Sequence, residues 1–396
     1  MFFGWDANGL EEGLEIFREC FSKPQRNHFK TYVTGLVVGE KGEKNVDDIA
    51  ANAINGKDQS SLNRFVTQPN WDVARLNAVR LRHFLPENNG GVLILDDTNL
   101  EKFGKCMEGA GYLYDSSQGT YILCHNIVST FYTNGAVNVP MHFQFYIKDS
   151  VTDSLDVWFK TKIQLGIELL ARSLLAVKPK VVVFDSWYFA KTLVDFLASR
   201  CLTWVTAADV NRCIQIDSEW TQLQEYFPKI PHTDFKRISV EVEENTYKWY
   251  YERVVAMKNV GLVKIVVLKR RKNGKGFKVL VSNDIAMSGS DVIRYYKARW
   301  NIEVFHRDCK QHLGMGEYQL RKLDAVGIHL HLVFLAYTLL KNAGRSPFFR
   351  KVLKGLETIG RACERLKRYV FEKLGEWYFR KGAKRANSIA RGYAAV

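Results

Sequence analysis

Two short apolar runs constrain this chain more than anything else in it. Gly91-Val92-Leu93-Ile94-Leu95 and Lys180-Val181-Val182-Val183-Phe184 are each a near-continuous stretch of large apolar residues that runs directly into an aspartate, Asp96 and Asp185. An antiparallel strand with one wet face alternates apolar and polar residues; an unbroken run is the mark of a strand covered on both faces, as in the centre of an α/β sheet. In such sheets the reactive groups collect beyond the C-terminal strand ends. A single strand-end aspartate usually caps the following turn. Two neighbouring strands ending this way make a pair of carboxylates suited to a hard, oxygen-seeking cation such as Mg²⁺.

The rest of the chain divides around these runs. Residues 1–88 carry no strand alternation, and Leu10–Phe21, Val46–Ile54 and Asp72–Leu85 have apolar positions at helical spacing. Lys23, Arg26, Lys30, Arg64, Arg75, Arg80 and Arg82 make this helical region a DNA-contacting bundle or a capping region with solvated charges. After the turn-rich Pro86–Gly91, residues 89–209 read as the first part of an α/β domain. Strands are expected at 121–132, 137–147 and 204–208, and helices at about 161–176 and 188–199. Residues 210–287 form a β-rich block, with strands at Ile238–Val242, Trp249–Met257, Val263–Leu268 and Phe277–Val281. It looks like an insertion, because the α/β pattern resumes only at 288–345. One long helix is expected there, from Asp291 to Leu313, with Ser288 or Ser290 as its N-cap. Residues 346–396 are helical and basic.

The chain of 396 residues has 57 Lys and Arg against 42 Asp and Glu, a net charge of +15. Most of the excess lies after residue 340, which points to a polyanionic partner. No apolar run approaches the ~20 residues that span a bilayer, and the most apolar stretch, His331–Leu340, is half that length. Met1–Asp6 lacks the basic start and apolar core of a signal peptide. A cytoplasmic protein without membrane contact is therefore expected. The seven cysteines are irregularly spaced and contain no C-x-x-C, so they read as reduced thiols and not as a zinc site. His329 and His331 stand two apart, do not share a helix face, and read as structural.

A third carboxylate lies in the expected long helix. Tyr296, Arg299, Glu303 and Lys310 fall within roughly 60° of one another at ~100° per residue, while Ile302, Phe305, Cys309 and Leu313 occupy a mostly opposite arc. On its own an Arg299/Glu303 pair is a surface ion pair worth about 0.3–0.5 kcal/mol. Together with its neighbours it resembles something more specific. Tyr296-x2-Arg299-x3-Glu303-x6-Lys310 is similar to the Tyr-Arg-Glu-Lys signature of insertion-sequence DDE transposases, in the branch whose RNase H-like catalytic domain carries a β-rich insertion between the second Asp and the Glu. Ile94–Thr98 and Val181–Tyr188 resemble the first- and second-Asp strands of that branch, and the likeness spans about residues 60 to 345. His306 departs from it, standing where many relatives have a second aromatic.

The resemblance implies an RNase H-like mixed sheet flanked by helices, with helical N- and C-terminal regions, and Asp96, Asp185 and Glu303 as catalytic metal ligands. Asp97 competes for the first role. Adjacent strand residues face opposite ways, so one of the two serves, and the family pattern of Asp, a variable residue, then Thr favours Asp96. Three carboxylates suit two Mg²⁺ ions about 3.5–4 Å apart, with Mn²⁺ as a substitute, in an in-line phosphoryl displacement. Tyr296, Arg299 and Lys310 would contact DNA phosphates, with Lys102 and Lys105 as further candidates. Trp300 either stacks on a displaced base or anchors the core. The implied partners are double-stranded DNA, both terminal inverted repeats and target, and a second copy of the chain in a synaptic homodimer. Other readings of the same residues are a stand-alone metal-dependent nuclease, a non-catalytic DNA-binding descendant, and a basic RNA-binding module.

Overall fold

The computed structural model describes residues 5–54, 56, 58–87, 90–104, 106–115, 118–238, 247–274, 276–355 and 358–393. They fall into two compact units. One comprises residues 86–99 and 111–304. The other joins residues 1–85, 100–110 and 305–396.

The first unit is built on one mixed sheet of 12 strands. In chain order its main strands are β1 (Val92–Glu101), β2 (Thr120–Thr133), β3 (Asn138–Tyr146), β4 (Val181–Phe184), β5 (Trp204–Ala208), β6 (Trp249–Met257), β7 (Gly261–Lys269) and β8 (Phe277–Ser282). Its helices are α1 (Lys162–Leu174), α2 (Lys191–Ser199), α3 (Gly289–Lys297) and the first turn of α4 (Trp300–His312), a helix that continues into the other unit. The central order is β3-β2-β1-β4-β5. β1, β4 and β5 are parallel, with Leu95 opposite Phe184 and Phe184 opposite Thr206. As the apolar runs require, Leu93–Leu95 and Val181–Phe184 are buried almost completely. Helix α1 lies so close to β1 that a Cβ on Gly166 would come within 2.8 Å of the Leu95 side chain.

The β-rich block is not a separate body. β8 pairs antiparallel with β5, placing Val279 opposite Ala208, and β7 and β6 follow outward, so the block extends the same sheet. The expected strand at Ile238–Val242 lies, beyond its first residue, outside the described residues. Short strands at Gly111–Asp115, Cys213–Ile216 and Glu219–Gln222 were not anticipated.

The expected single helix over 291–313 is two. Ser288 caps α3, its hydroxyl accepting from the Asp291 N–H at 3.1 Å. Between α3 and α4 the backbone tightens to i→i+3 hydrogen bonds: Arg299 N to Tyr296 O, Asn301 N to Ala298 O and Ile302 N to Arg299 O, at 3.0–3.2 Å. The Asn301 side-chain amide also donates to Ala298 O at 2.9 Å, supporting the tight turn.

The second unit is helical. Leu323–Lys341 is its buried centre, packed by Lys23–Val38, Gln59–Thr67, Val73–Phe84 and Ile359–Tyr393. At 19 residues and a mean hydropathy of 1.7 this helix is long and apolar enough to cross a membrane, contrary to the reading from sequence, but 78% of that stretch is buried inside the unit. Its His329 is fully buried. The ring Nε2 lies 2.9 Å from Gly314 O, a pure acceptor, so Nε2 carries the proton and Nδ1 accepts from the Tyr32 hydroxyl at 2.9 Å. All seven cysteines are free.

Candidate active site

The site is assembled where the parallel pairing of β1 and β4 stops. Register partners on parallel strands point to the same face, about 4.8 Å apart. Asp96 and Asp185 each follow the last registered pair, Leu95 and Phe184, so they stand side by side on one face. Asp97 takes the other face. There its carboxylate accepts from Lys162 Nζ at 2.7 Å, Asn126 Nδ2 at 2.7 Å and the Tyr188 hydroxyl at 3.0 Å. That neighbourhood is filled and self-contained, which leaves Asp96 as the acid beside Asp185.

The tight turn between α3 and α4 delivers Arg299 to these acids. Its guanidinium donates to Asp96 Oδ2 at 2.9 Å and to the Glu303 carboxylate, one turn on. The side chains of Arg299 and Asp96 are only 16% and 15% exposed, while that of Glu303 is 32% exposed. What reads in sequence as a surface ion pair is therefore a half-buried bridge between the first and third carboxylates. Burial pushes the Asp96 carboxyl up to about 7; Arg299 counteracts this, and the like charges of Asp97 and Asp185 add to it. Burial works against the charge of Arg299 as well, yet Tyr296 and the acids Asp96, Glu303 and Asp185 hold it above the usual arginine range.

Tyr296 lies against the same group. Its ring sits 5.6 Å from the Arg299 guanidinium and 4.6 Å from the Lys278 ammonium. Burial raises its phenol to about 12. The Tyr296 hydroxyl and Arg299 Nε are closed off from solvent without a hydrogen-bond partner, which buried polar groups rarely tolerate unless a further group completes them.

The remaining sequence candidates scatter. Trp300 is 57% exposed, so it is not a core anchor. Lys310 is exposed on α4, two turns beyond Glu303, in the helical unit. Lys102 is a correction. Its side chain is buried, its ammonium donates to Gly316 O at 2.6 Å and Tyr318 O at 3.2 Å, and it lies 3.3 Å from the Tyr318 ring centre. Burial lowers it to about 7, and its donors are engaged in bracing the loop of Gly316 and Tyr318. Lys105 lies outside the described residues. In the N-terminal region Arg80 is buried, and Lys30 and Arg82 pair with Glu11 and Glu19. The side chains of Arg380, Lys381, Lys384, Arg385 and Arg391 lie outside those described. Lys278, missed in the sequence, stands in the otherwise apolar run Phe277–Val281; a lysine in such a run is the signal that could have exposed it.

Among the described residues no three His, Cys, Asp or Glu side chains already stand together as a metal cage. The donor set nonetheless fits a hard dication. It is made of oxygens only, and the positive charge between Asp96 and Glu303 is supplied by the Arg299 guanidinium.

The mixed sheet's central parallel strands bring two aspartates to the turn that carries Arg299 and to Glu303 on α4, and matches to known families place this arrangement among enzymes of DNA cleavage and strand transfer. Residues 16–220 match the family of DDE superfamily endonucleases, and residues 160–339 match the transposase DDE domain. The first match spans more than half the chain, and the chain belongs to the DDE superfamily of endonucleases and transposases. Among solved structures, the piggyBac transposase in its synaptic complex with hairpin DNA shares the fold. The TM-score is 0.51 at 11% identity, over 93% of this chain and 79% of that one. No curated protein matches the chain.

Proposed function

We propose that this transposase cuts the ends of an insertion sequence and joins them to target DNA by two-metal phosphoryl transfer, with Asp96, Asp185 and Glu303 as the ligands. The observation that carries the reading is the guanidinium of Arg299 held between Asp96 and Glu303, with Asp96 and Asp185 each following the last registered pair of β1 and β4. Two acids bridged by a guanidinium, with a third at the end of the neighbouring strand, are a site for positive charge, and DNA brings phosphates that can take Arg299 in exchange.

Divalent cations of the Mg²⁺ type, with Mn²⁺ as a substitute, would supply Lewis-acid stabilisation of phosphoryl oxygens and ease deprotonation of a water or 3′-hydroxyl. The chain's own groups do the positioning. Asp96, Asp185 and Glu303 hold the cations, and Arg299 and Tyr296 turn to the scissile strand, completing their unmet hydrogen bonds. Lys310 contacts a flanking phosphate, and Trp300 offers an exposed stacking face. The N-terminal region (1–88) and the basic C-terminal region (346–396) add sequence-independent phosphate contacts. Two ends must be cut in concert, which requires a homodimer on paired inverted repeats. The site of action is the nucleoid of a prokaryotic cytoplasm.

The test is an assay with labelled duplexes carrying the inverted repeats that bracket the gene, a supercoiled target and Mg²⁺. End cleavage followed by joining to the target is expected. Cleavage without joining would make the protein a nuclease only, and binding without either would make it a non-catalytic descendant.

A further inference from the structure

Beside Asp185 lies a cavity of about 440 Å³ whose lining includes the carboxylates of Asp185 and Asp209, Lys278, Tyr296, and the small residues Ala207 and Ala208. The sheet explains it. β5 ends at Ala208, opposite Val279 of β8, so Lys278 is placed beside the C-terminal end of β5, the same end of the sheet at which Asp185 follows β4. The two alanines leave space that larger side chains would fill. The volume is near the lower end of the ~300–1,000 Å³ typical of ligand clefts, room for one nucleotide unit and not for a duplex.

Lys278 is unusual within this cavity. It is half-buried, yet among the described residues its ammonium makes no ion pair. Instead the ammonium rests over the Tyr296 ring, 4.6 Å from its centre, a contact that holds the head without using its N–H donors. Burial and the like charge of Arg299 lower its pKa from the usual lysine range, against the opposing pull of Asp185 and Glu303. A lysine that makes no ion pair among the described residues and lines a cavity on the flank of the proposed phosphoryl-transfer site has the chemistry of an anion receptor.

We propose that Lys278 binds a DNA backbone phosphate immediately next to the scissile bond, and that the cavity between β5, β8 and α3 seats the nucleotide carrying it. The inference rests on the proposed carboxylate site and adds a positioning residue and a subsite to it. Lys278 holds the strand end so that the scissile phosphate meets Asp185 and Glu303; it takes no part in bond making.

The experiment uses the full chain and terminal-repeat duplexes in Ca²⁺, with single methylphosphonate linkages placed in turn on each side of the cleavage position. Lys278→Ala should weaken binding about tenfold and reduce the slope of log K against log salt by about 0.9, one phosphate contact. At one linkage next to the cut, the neutral phosphonate should weaken the wild type to the same degree and Lys278→Ala no further. Lys278→Arg should restore binding, and Lys278→Met, which keeps the apolar stem, should match the alanine variant, excluding a packing defect. An unchanged salt slope, or additive losses at every linkage, would overturn the assignment. Glu303→Gln run in parallel with Mg²⁺ separates the two ideas. If it still cuts, the carboxylate site is wrong; if it is dead while Lys278→Ala gives only additive losses, this inference alone fails.

Discussion

The neighbouring acids Asp96 and Asp97 should respond in opposite ways to the same isosteric change. Asp97 accepts three hydrogen bonds, one from Lys162 in an ion pair whose side chains are 18% and 20% exposed. Asp97→Asn removes the charge, turns one acceptor into a donor facing Lys162, and leaves that ammonium without its counter-charge. Breaking one partner of a largely buried pair costs about 3–5 kcal/mol, and the residual exposure of both groups brings the expected loss to about 2–4 kcal/mol. Asp96→Asn removes a carboxylate that burial and two like charges already oppose, and Arg299 keeps Glu303, so stability should change by less than about 1 kcal/mol. Activity should invert this order. Single-turnover cleavage at a temperature where both variants are folded should vanish in Asp96→Asn and survive within about tenfold in Asp97→Asn. Urea unfolding supplies the stability arm. A stable Asp97→Asn protein that cannot cut, beside an Asp96→Asn protein that can, would refute the face assignment drawn from the strand register.

Other consequences are separate from the chemistry. His329 is held neutral, with burial lowering its pKa to about 3 against about 6.5 in the unfolded chain. Below pH 6.5 the unfolded state gains a proton that the folded state refuses, so stability falls with falling pH by about 1.4 kcal/mol per unit until about pH 3. Urea titrations between pH 6 and 4 should show His329→Gln with a slope shallower by about that amount, and parallel slopes would reject the buried neutral ring. Gly314 follows α4 at φ +69, where an added Cβ would come within 2.5 Å of Lys44 Cβ, and the Met315 N–H closes the helix end on Cys309 O at 3.1 Å. Gly314→Ala should therefore lower stability by about 1–3 kcal/mol, read as a shifted denaturation midpoint. Trp300→Ala should change stability by less than about 0.5 kcal/mol but weaken binding of terminal-repeat duplexes by about 1–3 kcal/mol; equal binding would remove it from the interface.

The parts of this molecule that were legible in sequence are those fixed by local pattern. The runs into Asp96 and Asp185 are continuous because both faces of β1 and β4 are covered, and that signal needs no knowledge of partners. The parts that were not legible depend on pairings between distant residues. Lys102 looks like a phosphate ligand until Gly316 and Tyr318 fold over it. That the β-rich block extends the central sheet was hidden because nothing in Phe277–Val281 says that it pairs with Trp204–Ala208. The long amphipathic pattern over 291–313 hides the tight turn at Ala298–Arg299, since apolar spacing does not register one turn of i→i+3 hydrogen bonding. That turn matters, because it converts Arg299 from one half of a helix-surface pair into the bridge between Asp96 and Glu303.

The most direct test of the account is the rate of strand cleavage by Asp185→Asn and Glu303→Gln on terminal-repeat duplexes in Mg²⁺, measured alongside their affinity for the same DNA. The account predicts cleavage at least about 10³-fold slower, the scale on which removing groups that act on the reacting atoms is felt, with affinity in Ca²⁺ within about threefold of the wild type. Cutting at near-normal rates by either variant would contradict it.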